Sequence, residues 1–209
     1  ENLGRPAAIE VDPVENEVYI ADGYGNRRVI VFDSETGEYK RHWGAYGERP
    51  DDTDLPPYDP EAEPIRHFRS PVHGVAIAND GLVYVADRTN HRIQVYDLEG
   101  RFNRSFGSDF LSSPSGFVTH GDLLVVAELR ARLAVLDKDD KLLCYLGDNE
   151  QVCSVDGWPN NRNASGELMP TSLLEPGKFN SPHGMAVDAQ GNLYVAEWLI
   201  GGRFIKLEK

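Results

Sequence analysis

Two histidines, a tyrosine and an arginine carry the chemistry that this sequence offers. His73 follows Pro71-Val, and His183 follows Pro182; each is then followed by Gly, so the two occupy one place in two copies of a motif. Two imidazoles converging on one point would make half of a zinc site, which asks for three protein ligands and an open position if it is catalytic. The ordinary alternative is a histidine that caps a strand or bonds a neighbouring carbonyl. The matching positions in the other copies are Ala7 and Ser115, which supply no third strong ligand. Tyr24, in Ala21-Asp-Gly-Tyr-Gly-Asn-Arg, and Arg88, in Ala86-Asp-Arg-Thr-Asn, each lie just beyond an Ala-Asp pair. Beside a metal, Tyr24 could serve as a base and Arg88 could hold a carboxylate in its planar fork. Their plainer roles are an aromatic packed on a rim and an ion pair between neighbouring units. Asp22 and Asp87 are expected to be structural, bonding to the turn that follows each.

The elements that must position these residues repeat four times. The first two runs of each copy are Pro6–Asp12 with Val18–Asp22, His73–Ile77 with Val83–Asp87, Pro114–Val118 with Leu124–Glu128, and Pro182–Asp188 with Leu193–Glu197. A third apolar run follows each, and a fourth follows three of them, ending at Gly44, Gly107 and Gly147. The runs are short, rich in Val, Ile, Tyr and Phe, and parted by turn signals such as Asn79-Asp-Gly, so they read as antiparallel strands. Units of about forty residues with four strands apiece are the signature of β-propeller blades. The expected fold is all-β: a propeller of NHL-type four-stranded blades in a single domain over 1–209, with repeats at 5–44, 71–107, 113–147 and 181–209.

Insertions occupy 45–70 and 148–180, each between the fourth strand of one repeat and the first strand of the next. Loops this long are uncommon unless they are solvated connectors or act as lids. Blade geometry puts the start of strand one, the end of strand two and the entering loop at one end of the blade. That end collects the His motifs, the Ala-Asp motifs and both insertions. The last repeat stops after its third strand, which predicts a six-bladed parent lacking about two N-terminal blades. A ring cut in this way would expose two blade faces through which copies could self-associate.

Composition narrows the partners. The chain of 209 residues has 21 Lys and Arg against 34 Asp and Glu, a formal charge of −13. Such a balance argues against nucleic acid and anionic membranes, and no apolar run approaches the eighteen or so residues that span a bilayer. A small-molecule or peptide ligand, or a metal ion, suits it better. No signal peptide is visible and the sequence begins at Glu1, so an extracellular or periplasmic location is favoured only weakly over the cytosol. Cys144 and Cys153 lack the spacing of a zinc or redox pair, and a disulfide between them is as expected as two free thiols.

These motifs resemble the lyase that completes peptide C-terminal amidation, peptidyl-α-hydroxyglycine α-amidating lyase. The resemblance runs from Val18 to Leu207 and rests on Ala21–Phe32, Trp43-Gly, Pro71-Val-His-Gly, Val85–Tyr96 and Phe179–Gly184. It implies a six-bladed propeller with zinc held by three His, two of them matched by His73 and His183. It further implies that Tyr24 is the catalytic tyrosine, that Arg88 is an active-site arginine, and that a carbinolamide is cleaved to an amide and glyoxylate. Departures accompany the match. The family's first zinc His and its other arginine belong upstream of Glu1, and its cysteines appear here as Gly25, Tyr84 and Val95. Its calcium-holding Asp appears as Gly184, so calcium is not expected. A chain so composed should be inactive or weak as a lyase. The alternative function is an NHL propeller that binds a protein, peptide or sugar on its loop-bearing end without chemistry. A sugar-lactone hydrolase would need a calcium-binding carboxylate and Asn cluster at the strand-one starts, which the sequence lacks.

Overall fold

The four repeats fold as four antiparallel meanders in a computed structural model that describes residues 2–209. The first contains β1 (Ala8–Asp12), β2 (Glu17–Asp22), β3 (Arg28–Asp33) and β4 (Tyr39–Trp43). The second contains β5 (Val72–Ile77), β6 (Val83–Asp87), β7 (Arg92–Tyr96) and β8 (Phe102–Phe106). The third contains β9 (Pro114–His120), β10 (Leu123–Glu128), β11 (Arg132–Leu136) and β12 (Leu142–Leu146). A small hairpin, β13 (Asn161–Arg162) with β14 (Leu168–Met169), stands in the second insertion. The last repeat contains β15 (Pro182–Val187), β16 (Leu193–Glu197) and β17 (Arg203–Leu207). Strands pair in chain order within each meander, and there is no α-helix among the described residues. None of their helical turns is long and apolar enough to cross a membrane.

The chain divides into two compact units, Glu1–Asp109 and Phe110–Lys209, each holding two blades. Strand alternation sends one set of side chains to each face of a sheet, and the inward sets meet between the blades of a unit. In the first unit Tyr19, Ala21, Val29, Val31 and Trp43 pack against Val72, Val75, Val83 and Val85. In the second, Val125, Ala127 and Leu133 pack against Leu193 and Val195. Burying apolar area at ~25 cal/mol per Å² is what holds blade to blade.

A repeated polar clamp fixes the end of each blade. The acid that closes strand two accepts a hydrogen bond from a backbone N–H of the entering loop and another from an arginine that opens strand three. Asp22 takes Gly4 N at 2.7 Å and Arg28 Nε at 3.0 Å; Asp87 takes Arg69 N at 3.1 Å and Arg92 Nε at 2.7 Å. Glu128 takes Ser112 N and, at 2.5 Å, Arg132 Nε; Glu197 takes Asn180 N at 2.6 Å and Arg203 Nε. Each arginine also donates to a carbonyl of the same loop: Asn2 at 2.9 Å, His67 at 3.2 Å, Phe110 at 3.1 Å and Lys178 at 2.7 Å. All four acids are buried, and pairing with both a guanidinium and backbone donors is what makes a buried carboxylate tolerable. The bonds expected from Asp22 and Asp87 to their following turns are present as well, through Asn26 at 2.6 Å and Asn90 at 2.8 Å.

Candidate functional site

In the first unit, Tyr24, His73 and Arg88 come together where the β2–β3 turn meets the start of β5. The turn can lie there because position 23 is glycine: a Cβ on Gly23 would stand 1.9 Å from Val72 O and 2.3 Å from Val72 N. Gly25 is equally confined, since its Cβ would fall 2.4 Å from Gly4 O. With both glycines against backbone, Tyr24 is the side chain the turn presents. Its main chain is held on two sides, Tyr24 N donating to Arg5 O at 3.3 Å and Ser70 Oγ donating to Tyr24 O at 3.3 Å. Thr89 Oγ1 in turn donates to Ser70 O at 3.0 Å.

The Tyr24 ring stands edge-on to the His73 imidazole, centroids 5.8 Å apart and planes at 78°. The Arg88 guanidinium carbon lies 5.7 Å from the Tyr24 centroid, within reach of a cation–π contact. His73 is 3% exposed and Tyr24 42%, so the cluster has a closed floor and an open phenol. Arg88 is half-buried and has no carboxylate partner among the described residues. Asp87 beside it is spent on the clamp to Arg92, and burial pushes its carboxyl above the usual carboxylate range against that arginine's pull. Arg88 is therefore a cation left available to an anion, and a guanidinium takes a carboxylate through two parallel hydrogen bonds.

The sequence-equivalent histidines share a backbone feature that the sequence does not announce. Register shifts between Val72 and Gly74, so His73 is the bulged residue of β5. The same shift between Pro182 and Gly184 makes His183 the bulged residue of β15, and a further one puts Ser115 in that role in β9. A β-bulge re-aims its side chain out of the alternating pattern, a common arrangement at functional ends of sheets. In the second unit His183 is half-buried, and its carbonyl accepts from Ser115 Oγ at 3.4 Å. Trp198, 55% exposed, holds the place after Glu197 that Arg88 holds after Asp87.

The first insertion is tied onto the Arg88 end of its blade. Asn90 Nδ2 donates to His67 O at 2.9 Å, Arg92 Nη2 to Ile65 O at 3.1 Å, and the Arg69 guanidinium to the carbonyls of Pro56 and Pro57. Tyr58 packs on His91 with centroids 4.4 Å apart. The second insertion is anchored by Trp158 Nε1 to Asn180 O at 2.8 Å and meets the Trp198 turn through Ile200 N to Asn160 Oδ1 at 2.7 Å. Cys144 and Cys153 are free thiols; Cys153 is pushed up to about 11, chiefly by burial.

Zinc was expected at His73 and His183. These lie in different units, and among the described residues no three His, Cys, Asp or Glu side chains gather as a metal site. The residues present do not by themselves complete the ligand set of a tetrahedral zinc.

The four-stranded antiparallel meanders are those of β-propeller blades, and residues 72–96 match the NHL repeat. Over all of this chain and 93% of the other, the fold is similar to that in the crystal structure of the computationally designed Ika4 protein, with a TM-score of 0.51 at 14% identity. Among curated proteins the chain is similar to peptidyl-glycine alpha-amidating monooxygenase B of Xenopus laevis, 27% identical over 202 residues, 92% of this chain and 19% of that protein. It is 26% identical to monooxygenase A of the same organism, over 92% of this chain and 18% of the relative. Protein brain tumor of Drosophila melanogaster is 28% identical over 71% of this chain and 13% of its own length. The chain thus spans a fifth or less of the length of these relatives.

Proposed function

We propose that the chain carries part of an amidating-lyase-type site that binds a peptidyl-α-hydroxyglycine. The observation that carries this reading is Arg88, a half-buried guanidinium without a carboxylate partner among the described residues, stacked on a tyrosine that abuts a buried histidine. Similarity to two amidating monooxygenases over 92% of the chain supports it. Arg88 takes the ligand's carboxylate in bidentate fashion and so fixes the carbinol carbon over Tyr24. The Tyr24 phenol relays a proton, accepting that of the ligand hydroxyl as it passes its own to the departing nitrogen while the C–N bond breaks. The hydroxyl oxygen becomes the aldehyde of glyoxylate, and the departing nitrogen takes up a proton to become the peptide amide. His73, packed edge-on, holds the Tyr24 ring in place. The test is glyoxylate release from a peptidyl-α-hydroxyglycine by the full chain and by Y24F. Release above the uncatalysed rate that falls in Y24F sustains the reading, and equal rates for the two proteins overturn it.

A second reading is binding without chemistry, at the same Arg88 end. It is favoured by the metal-ligand set, which the described residues do not complete, and by the frequency with which NHL propellers bind proteins or peptides. It predicts saturable binding of the same ligand with no glyoxylate.

A further inference from the structure

The first insertion is tied to both sides of the Tyr24, His73 and Arg88 cluster, wholly within the first unit. On the Tyr24 side, Arg27 of the same β2–β3 turn donates from Nη1 to Thr53 O. In the middle, the Arg69 guanidinium donates to Pro56 O and, at 3.4 Å, to Pro57 O, while the next residue, Ser70, donates from Oγ to Tyr24 O. On the Arg88 side, Tyr58 stacks on His91 with centroids 4.4 Å apart. His91 N donates to Arg88 O at 3.1 Å and closes the short 3₁₀ turn Arg88–Asn90, which sets the Tyr58 and His91 pair beside Arg88. Six residues reach at most about 20 Å, so Thr53 to Tyr58 form a strap fixed at one end to the turn of Tyr24 and at the other to the turn of Arg88.

The residues of the strap make it a wall of side chains. Pro56 and Pro57 have no N–H to donate and a fixed φ, and their carbonyls accept from Arg69, so its middle has little main chain to offer an incoming peptide. Arg69 grips it from beneath, only 9% exposed. The same guanidinium lies 6.0 Å from the Tyr58 centroid, within reach of a cation–π contact. Tyr58 is thus held by a cation and an imidazole and is still half-buried rather than buried, while both prolines are exposed. Asp54 and Asp59 flank this stretch in solvent, where water and salt screen their charge. The fixed rings therefore outweigh the acids as a source of selectivity.

We propose that Pro56, Pro57 and Tyr58 form the subsite for the ligand residue that precedes the terminal glycyl unit, and that it takes an aromatic side chain. The substrate class is then a peptide that ends in an aromatic residue followed by α-hydroxyglycine. This rests on the reading that Arg88 holds the carboxylate: one residue advances the chain by at most about 3.6 Å, and the first wall beyond the Arg88 turn is the strap. An aromatic ring packs there on the Tyr58 ring and the proline rings. Tyr58 is a specificity-determining residue that touches none of the reacting atoms.

The test is calorimetric titration of the full chain with N-acetylphenylalanylglycine, with its alanyl and lysyl counterparts, and with N-acetylphenylalanylglycinamide. The phenylalanyl acid is expected to bind about tenfold more tightly than the alanyl acid, and Y58A to bring the two within about twofold while the preference for acid over amide persists. Y58F should keep the preference for phenylalanine. Circular dichroism checks that both variants are folded, and the comparison of phenylalanyl with alanyl acid on the unaltered chain needs no variant. Equal affinities for those two acids, with acid still preferred over amide, overturn the strap subsite and leave the Arg88 reading standing. Tighter binding of the lysyl acid, or a phenylalanine preference that survives Y58A, also overturns it. Loss of the acid-over-amide preference in the unaltered chain removes the Arg88 reading, and the strap subsite with it.

Discussion

Tyr24 meets His73 because Gly23 lets one loop lie on the backbone of the next blade. The edge-on contact, 5.8 Å between centroids, is made by a residue exposed at 42% on one buried at 3%, so the phenol is presented from a rigid floor. Arg88 closes the third side, and this small cluster is the feature from which the functional account grows.

Replacing Gly23 with alanine should break the cluster from beneath. A Cβ there would stand 1.9 Å from Val72 O, and backbone does not yield as a flexible side chain does. The expected cost is about 2 kcal/mol or more, read as a lowered denaturation midpoint, with ligand binding lost in the folded fraction. Gly184→Ala, whose Cβ would meet nothing within 4 Å, is the matched control and should leave stability within about 0.5 kcal/mol.

Arg92→Ala removes the guanidinium that Asp87 shares with the His67 carbonyl, leaving a buried carboxyl short of its main partner. Chemical denaturation should show a loss of about 3 kcal/mol, and proteolysis within 45–70 should accelerate because that segment loses its anchor. Arg101→Ala, at an exposed ion pair, should change stability by less than about 0.5 kcal/mol.

Glu17 supplies a pH dependence. The Arg41 guanidinium beside it, with Lys40 and Tyr19, holds its carboxyl down at about 2 against an ordinary 4.5. A carboxyl depressed in the folded state contributes stability that is fully present above its unfolded value and lost as pH falls through the folded one. The protein should therefore lose stability between about pH 4.5 and pH 2, and Glu17→Gln should flatten that limb of the acid-denaturation curve. An unchanged acid limb in the variant would remove Glu17 from the account.

Much of this was legible in the residues themselves. Short β-branched runs at a repeating interval specify the four meanders, whereas the hairpin of β13 and β14 in the second insertion carries no such signal. The equivalence of His73 and His183 was visible as Pro-proximal His-Gly. The bulge that sets both histidines apart was not, because a register shift depends on the partner strand and leaves no periodic mark of its own. Tyr24 and Arg88 were visible as residues beyond an Ala-Asp pair, but their contact required knowing how Gly23 packs on Val72. The clamp was half visible: the repeated acids stood out, while the separation of Arg28, Arg92, Arg132 and Arg203 from their acids is not constant along the chain and they align only through strand pairing.

Arg88→Lys tests the shape of the proposed subsite apart from its charge. A point charge cannot reproduce a bidentate fork, so lysine should recover little of the affinity lost in Arg88→Ala, about tenfold or more in either variant. Affinity fully restored by lysine would reduce Arg88 to a source of positive field.

The most direct measurement of the central claim is calorimetric titration of the full chain with an uncleavable N-acylglycine and with the corresponding N-acylglycinamide. If Tyr24, His73 and Arg88 form a carboxylate-binding site, the acid binds saturably, the amide binds at least about tenfold more weakly, and R88A abolishes the difference. Equal affinities for acid and amide, or a preference that survives R88A, would contradict it.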